Sequence, residues 1–103
     1  MAAIDLTAVA AFPHFVTTAS VGTNAQEYKL PDYCTMVSIG GTAATRIAQN
    51  GASDGAAITA NYAFCPADNF FEVKRPISSI RKAGSIFACA EAGTVTIHLI
   101  LEG

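Results

Sequence analysis

Five residues carry the widest chemical reach in this chain: Cys34, Cys65, Cys89, His14 and His98. Together they could hold zinc, or a thiol and an imidazole could form a nucleophile–base pair. Structural zinc sites draw on ligands in close pairs, Cys-x2–4-Cys or His-x3–5-His. None of the five is spaced from another in that way. Nothing beside the cysteines marks an activated thiolate, and no Gly-x-Ser-x-Gly elbow is present. The polar loop Asn50-Gly-Ala-Ser-Asp-Gly55 lacks the alternating acidic ligands and terminal Glu of a calcium site. The residues point to no catalytic centre, no metal and no cofactor. An odd number of cysteines also argues against a disulfide framework. Each sits in an apolar stretch such as Phe87-Ala-Cys-Ala90, where a reduced thiol packs as a small hydrophobe.

Charge offers a different chemistry, that of attraction. Lys74, Arg75, Arg81 and Lys82 place four of the six basic residues within nine positions, with Glu72 just before them. Nucleic-acid binders show an excess of positive charge, whereas this chain has a formal net charge of −2. The cluster is expected to dock on an acidic protein surface, or else to guard a strand edge.

The elements that must position these groups read as strands. Residues 94–101 alternate, with Val95, Ile97, Leu99 and Leu101 on one face and Thr94, Thr96, His98 and Ile100 on the other. That is the period of a strand with one buried face. Strands are also expected at 14–19, 26–30, 58–65, 70–74, 77–82 and 85–90, with Pro66-Ala-Asp-Asn69 as a turn and Gly93 opening the final strand. A hairpin is expected over 33–49, because Gly40-Gly41 can take the positive φ of a tight turn. Strands at intervals near about 8–12 residues predict an all-β fold. The expected architecture is an antiparallel β-sandwich or jelly-roll-like barrel of about 7–9 short strands over residues 14–103. Residues 1–13, limited by Pro13, form an N-terminal arm or a short helix.

Composition narrows the class. Hydrophobic residues make up 51% of the chain but charged ones only 14%, against about 25% in an average globular protein. A sparsely charged exterior suits a surface covered by partners or by further copies of the chain. No apolar run reaches the roughly 18–20 residues needed to span a bilayer. The first twelve residues are apolar but include Asp5 and no Lys or Arg, so they do not read as a secretory signal. The expectation is a soluble protein made in the cytoplasm, with no membrane partner.

From Tyr28 onward the order of features resembles a family of small tailed-bacteriophage virion proteins with β-sandwich folds. The strand Cys34-Thr-Met-Val-Ser-Ile39 precedes a Gly pair, followed by Ala44-Thr-Arg-Ile-Ala48 and the polar loop Asn50–Gly55. A Phe-rich strand, Asn69-Phe-Phe-Glu-Val73, comes next, and Gly93-Thr-Val-Thr-Ile97 closes the pattern. The turn before Phe70 lacks the Gly often found there. The resemblance implies a capsid decoration or cement protein of the virion that binds the major capsid protein and reinforces the phage head, or else a tail or neck component. It implies a homo-oligomer, trimer or dimer. The candidate interface joins Ile4, Leu6, Val9 and Phe12 of the arm with Lys74, Arg75, Arg81, Lys82 and the outward-facing Ile100. Deleting residues 1–12 is then expected to weaken assembly while leaving the fold intact. The competing expectation is a non-viral ligand-binding module. Such modules present exposed aromatics, for which this chain offers no Trp and three Tyr (Tyr28, Tyr33, Tyr62).

Overall fold

The computed structural model describes residues 3–49, 53–74 and 84–103, and over these the chain is an all-β sandwich. Nine strands run in chain order: β1 (Ile4–Asp5), β2 (His14–Val21), β3 (Gln26–Lys29), β4 (Met36–Gly41), β5 (Thr45–Ala48), β6 (Ala63–Cys65), β7 (Phe70–Lys74), β8 (Ser85–Ala90) and β9 (Val95–Glu102). They form a five-stranded sheet, β1-β3-β8-β5-β6, and a four-stranded sheet, β2-β9-β4-β7. Every pairing between these strands is antiparallel except β1 with β3. Among the described residues no helix is long and apolar enough to cross a membrane.

Alternation explains β9. Val95, Ile97, Leu99 and Leu101 are buried between the sheets, while Thr96, His98, Ile100 and Glu102 face outward and are half-buried. Across the sandwich they meet Tyr28, Ile47, Ile86, Ala88 and Ala90 in one core. The pattern of β8 differs, since five of its six residues are buried. Its outward residues Phe87 and Cys89 are covered by Ala25, Ala48 and Ile58, a second small core on the far side of the five-stranded sheet. The chain between β5 and β6 supplies that cover. It is tied down by Ala25 N–H to the Ala56 carbonyl and Gly55 N–H to the Ala25 carbonyl. The Glu27 N–H donates to Asp54 Oδ1 at 3.0 Å.

Two expectations need correction. The Gly40-Gly41 hairpin does not form: both glycines lie inside β4, which pairs with β7 and β9, while β5 belongs to the other sheet. These glycines are required by close approach. A Cβ on Gly40 would collide with the Asn69 carbonyl, and one on Gly41 would sit 2.6 Å from Val95 Cγ2 and 2.8 Å from Thr45 Oγ1. The strand expected at 58–65 shortens to Ala63–Cys65, because residues 53–62 fold over the sheet and Asn61 takes φ +56°. The strand expected at 77–82 lies outside the described residues.

Other features match. Gly93, at φ +66°, turns the chain from β8 in one sheet to β9 in the other. In the Pro66–Asn69 turn, Asp68 takes φ +60°, the role a Gly would fill, and Asn69 N–H donates to the Pro66 carbonyl. Asp tolerates this left-handed region better than most residues. Ile4 pairs beside Tyr28 and Asp5 beside Lys29 in parallel register, and the chain then turns, with Val9 N–H donating to the Leu6 carbonyl.

Candidate interaction surface

The sites first suggested by chemistry come apart in the structure. Cys34, Cys65 and Cys89 are all buried, with no disulfide among them. Burial pushes the Cys65 and Cys89 thiols up from their ordinary values, away from the thiolate a nucleophile needs. The Cys65 thiol donates to the Asn69 carbonyl at 3.3 Å, helping to hold the turn between the sheets. His98 lies outward on β9, where its Nδ1 shares a 3.2 Å hydrogen bond with Thr17 Oγ1 of β2. Among the described residues no group of three His, Cys, Asp or Glu converges to hold a metal.

The predicted interface residues fall on two sides of the molecule and one outer face. Leu6 is buried, and Ile4, Val9 and Phe12 are half-buried against the domain's own core at the β1 edge. Deleting residues 1–12 would strip away β1 and this apolar cover, so an intact fold no longer follows. Lys74 ends β7, at the far edge of the other sheet, and is exposed. Arg75, Arg81 and Lys82 lie outside the described residues. Ile100 faces outward from β9, between Phe15 of β2 and Ser38 of β4 in register.

What sequence reasoning missed is the number of aromatic rings left in solvent. Phe15 is 68% exposed, Tyr33 72%, Phe64 54%, Phe70 53% and Phe71 40%, with Tyr62 also exposed. Two of the three candidate tyrosines, Tyr33 and Tyr62, are among them, and Tyr28 is fully buried. A signal was available. Consecutive Phe70 and Phe71 on one strand cannot both face the core, because neighbouring side chains point to opposite faces. The same holds for Phe15 beside Val16, which faces the core from β2.

Two clusters result. On the outer face of the four-stranded sheet, Phe15 and Ile100 are cross-strand neighbours, and so are Gly40 and Phe70 in the next row. On the outer face of the other sheet, Arg46 is paired in register with Phe64. The Arg46 guanidinium makes a forked contact with Glu91, through Nε to Oε2 and through Nη2 to Oε1 at 2.8 Å. It also donates through Nη1 to the Ile58 carbonyl at 2.7 Å and lies 4.6 Å from the Tyr62 ring centre. The hydrogen bonds from Arg46 hold the Glu91 carboxyl below the usual carboxylate range. All the guanidinium's visible work is internal, so it binds the covering segment 53–62 to the sheet.

A shallow groove of about 270 Å³ runs between residues 7–12 and the Pro31–Tyr33 turn, with Phe12 and Tyr33 among its walls. The arrangement can bury flat or apolar surface against a partner; it offers no acid–base pair. No protein-family model, curated protein or solved structure matches the chain.

Proposed function

We propose that this chain is a structural protein of a virion, a decoration or cement subunit that binds a bacteriophage head and stabilises it through surface contact alone. The observation that carries the reading is the outer face of the four-stranded sheet, where Phe15 stands 68% exposed beside Ile100. Large exposed apolar patches on small domains mark association surfaces. The low charge density supports the same reading, since only 14% of residues are charged. The sequence resemblance to small tailed-phage virion proteins supplies the partner class, a major capsid protein, with a tail or neck position as the variant of the same proposal.

The test is direct. The purified protein is mixed with phage heads that lack it, and bound protein is measured by co-sedimentation together with the temperature at which the heads lose their genome. Saturable binding with a raised rupture temperature is expected, and Phe15→Ser should weaken both. Absence of binding to heads, tails and necks alike overturns the proposal.

One observation favours a second reading, a ligand-binding module outside any virion. Tyr33, the most exposed ring, borders the groove with Phe12 and Pro31, and stacking on an exposed ring is how such modules hold sugars or other flat ligands. A glycan titration that shifts the Tyr33 ring resonances would support it.

A further inference from the structure

Asp54-Gly55 is the one Asp-Gly step in the chain, and it sits where the covering segment 53–62 is tied to the five-stranded sheet. Such a step carries its own chemistry, because the backbone nitrogen that follows an Asp can attack the side-chain Cγ and a glycine leaves that nitrogen unshielded. Gly55 is exposed to water, and nothing lies within 4 Å of where a Cβ on it would stand. In the closed structure both reacting groups are engaged elsewhere. Asp54 Oδ1 accepts the Glu27 N–H at 3.0 Å, and the Gly55 N–H donates to the Ala25 carbonyl at 2.8 Å. Beside them the Ala25 N–H donates to the Ala56 carbonyl, and Asn24 forms a β-bridge with Ala57. The two groups that could react with each other are thus the two that hold the cover down beside β3.

We infer that Asp54-Gly55 is a self-modification site, held unreactive while the cover is closed and converted to isoaspartate when it opens, so that the cover is released for good. In the open state the Gly55 nitrogen bonds to Asp54 Cγ. The carboxyl hydroxyl and the amide proton depart together as water, leaving a five-membered succinimide. Water then adds to one of the two ring carbonyls. Opening at Cγ restores aspartate, whereas opening at the main-chain carbonyl leaves the chain running through Cβ and Cγ. No oxidant, cofactor or partner is consumed, and the final mass is unchanged. The isoaspartyl link lengthens the main chain by one carbon and moves the free carboxylate to the former main-chain carbonyl. The Glu27 N–H then loses its acceptor, and the contacts of Ala25 with residues 55 and 56 fall out of step. Under the cover lie Phe87 and Cys89, packed against Ile58 and 7% and 1% exposed. Reactions that proceed only from a locally opened state follow the population of that state, so the modified fraction records how often the cover has opened. The inference is independent of the virion reading, because water is the only other reactant.

Ageing of the purified protein in warm neutral buffer, with and without sub-denaturing urea, tests it. Electron-transfer fragmentation of the tryptic peptide 47–74 locates isoaspartate at position 54. Deamidation of Asn50 in the same peptide is told apart because it changes the mass. The native parent should isomerise at least about tenfold more slowly than the unfolded chain, and urea should speed the reaction in step with thiol labelling of Cys89. Isolated isoaspartyl protein should label at Cys89 at least about tenfold faster than fresh parent, with Cys34 and Cys65 still shielded and circular dichroism unchanged. Asp54→Glu keeps a carboxylate but cannot close the five-membered ring, so its Cys89 labelling should not change with ageing. Asp54→Asn keeps an oxygen for the Glu27 N–H and should show the mass change of deamidation at 54, again faster in urea. Isomerisation in the native parent as fast as in the unfolded chain, isoaspartyl protein with Cys89 still shielded, or Cys89 exposed by ageing in Asp54→Glu as in the parent would each overturn the inference.

Discussion

Arg46 and Glu91 face each other from β5 and the turn after β8, and their fork closes over the segment that covers Phe87 and Cys89. Removing Arg46 does more than delete an ion pair, since its guanidinium also holds the Ile58 carbonyl and lies against Tyr62. Arg46→Ala should therefore loosen residues 53–62 and speed proteolysis there, while Glu91→Gln should have the smaller effect. Limited proteolysis with the cleavage sites mapped by mass spectrometry checks the order.

The same pair has a pH signature. The Glu91 carboxyl is held below its ordinary value by the Arg46 hydrogen bonds, so the folded state binds its proton less tightly than the unfolded state does. Its contribution is present above the unfolded-state value and is lost as pH falls through the folded one. Melting temperature should drop in the acid range, and the drop should shrink in Glu91→Gln. Because both groups are partly in solvent, added salt should reduce the difference.

Cys65 and Cys89 shift in the opposite sense, since burial disfavours the thiolate. Their contribution is present below the unfolded-state thiol value and is lost as pH rises through the folded one. All three cysteines are buried, so a thiol reagent at neutral pH should label none of them quickly in the native protein. Denaturant should expose all three. Rapid native labelling of any one would contradict the burial.

Glycine substitutions should separate crowding from conformation. Gly40→Ala meets the Asn69 backbone, which cannot swing aside as a side chain would, and should destabilise by roughly 2–4 kcal/mol. Gly84→Ala meets nothing within 4 Å and has no positive φ, so it should be neutral or stabilise by up to about 1 kcal/mol. Denaturant melts of the two variants decide the matter.

Anchoring of the first strand gives a further expectation. Leu6 is buried beside the core, so Leu6→Ala should cost about 2–3 kcal/mol, an outcome a detached arm would not produce.

The reading of β9 and β8 from sequence succeeded for a physical reason: Val95 to Leu101 alternates, and Ile86 to Ala90 is continuously apolar, as suits a strand covered on both faces. The hairpin failed because glycine answers two needs with one letter. A turn needs positive φ, as at Gly93, and a crowded backbone needs the missing Cβ, as at Gly40. Pairing across long separations leaves no local pattern, so β4 could not be assigned to β7 and β9 in advance. The interface was half legible. Ile100 was visible as the apolar exception on an outward face, but Phe15 reaches it from the other end of the chain. The Arg46 fork was invisible because Glu91 is 45 positions away.

The pairing of β2 with β9 also sets how the molecule must come together. Thr17 and His98 touch across 81 positions of chain, and among the described residues β2 has no other strand partner. Closing so wide a loop loses chain entropy before any ladder energy returns, which makes such topologies slow to fold. A fragment lacking β9 would leave β2 and β4 without the strand that joins them, so the ordered state should be reached in a single late event, and truncated chains should be the species that aggregate.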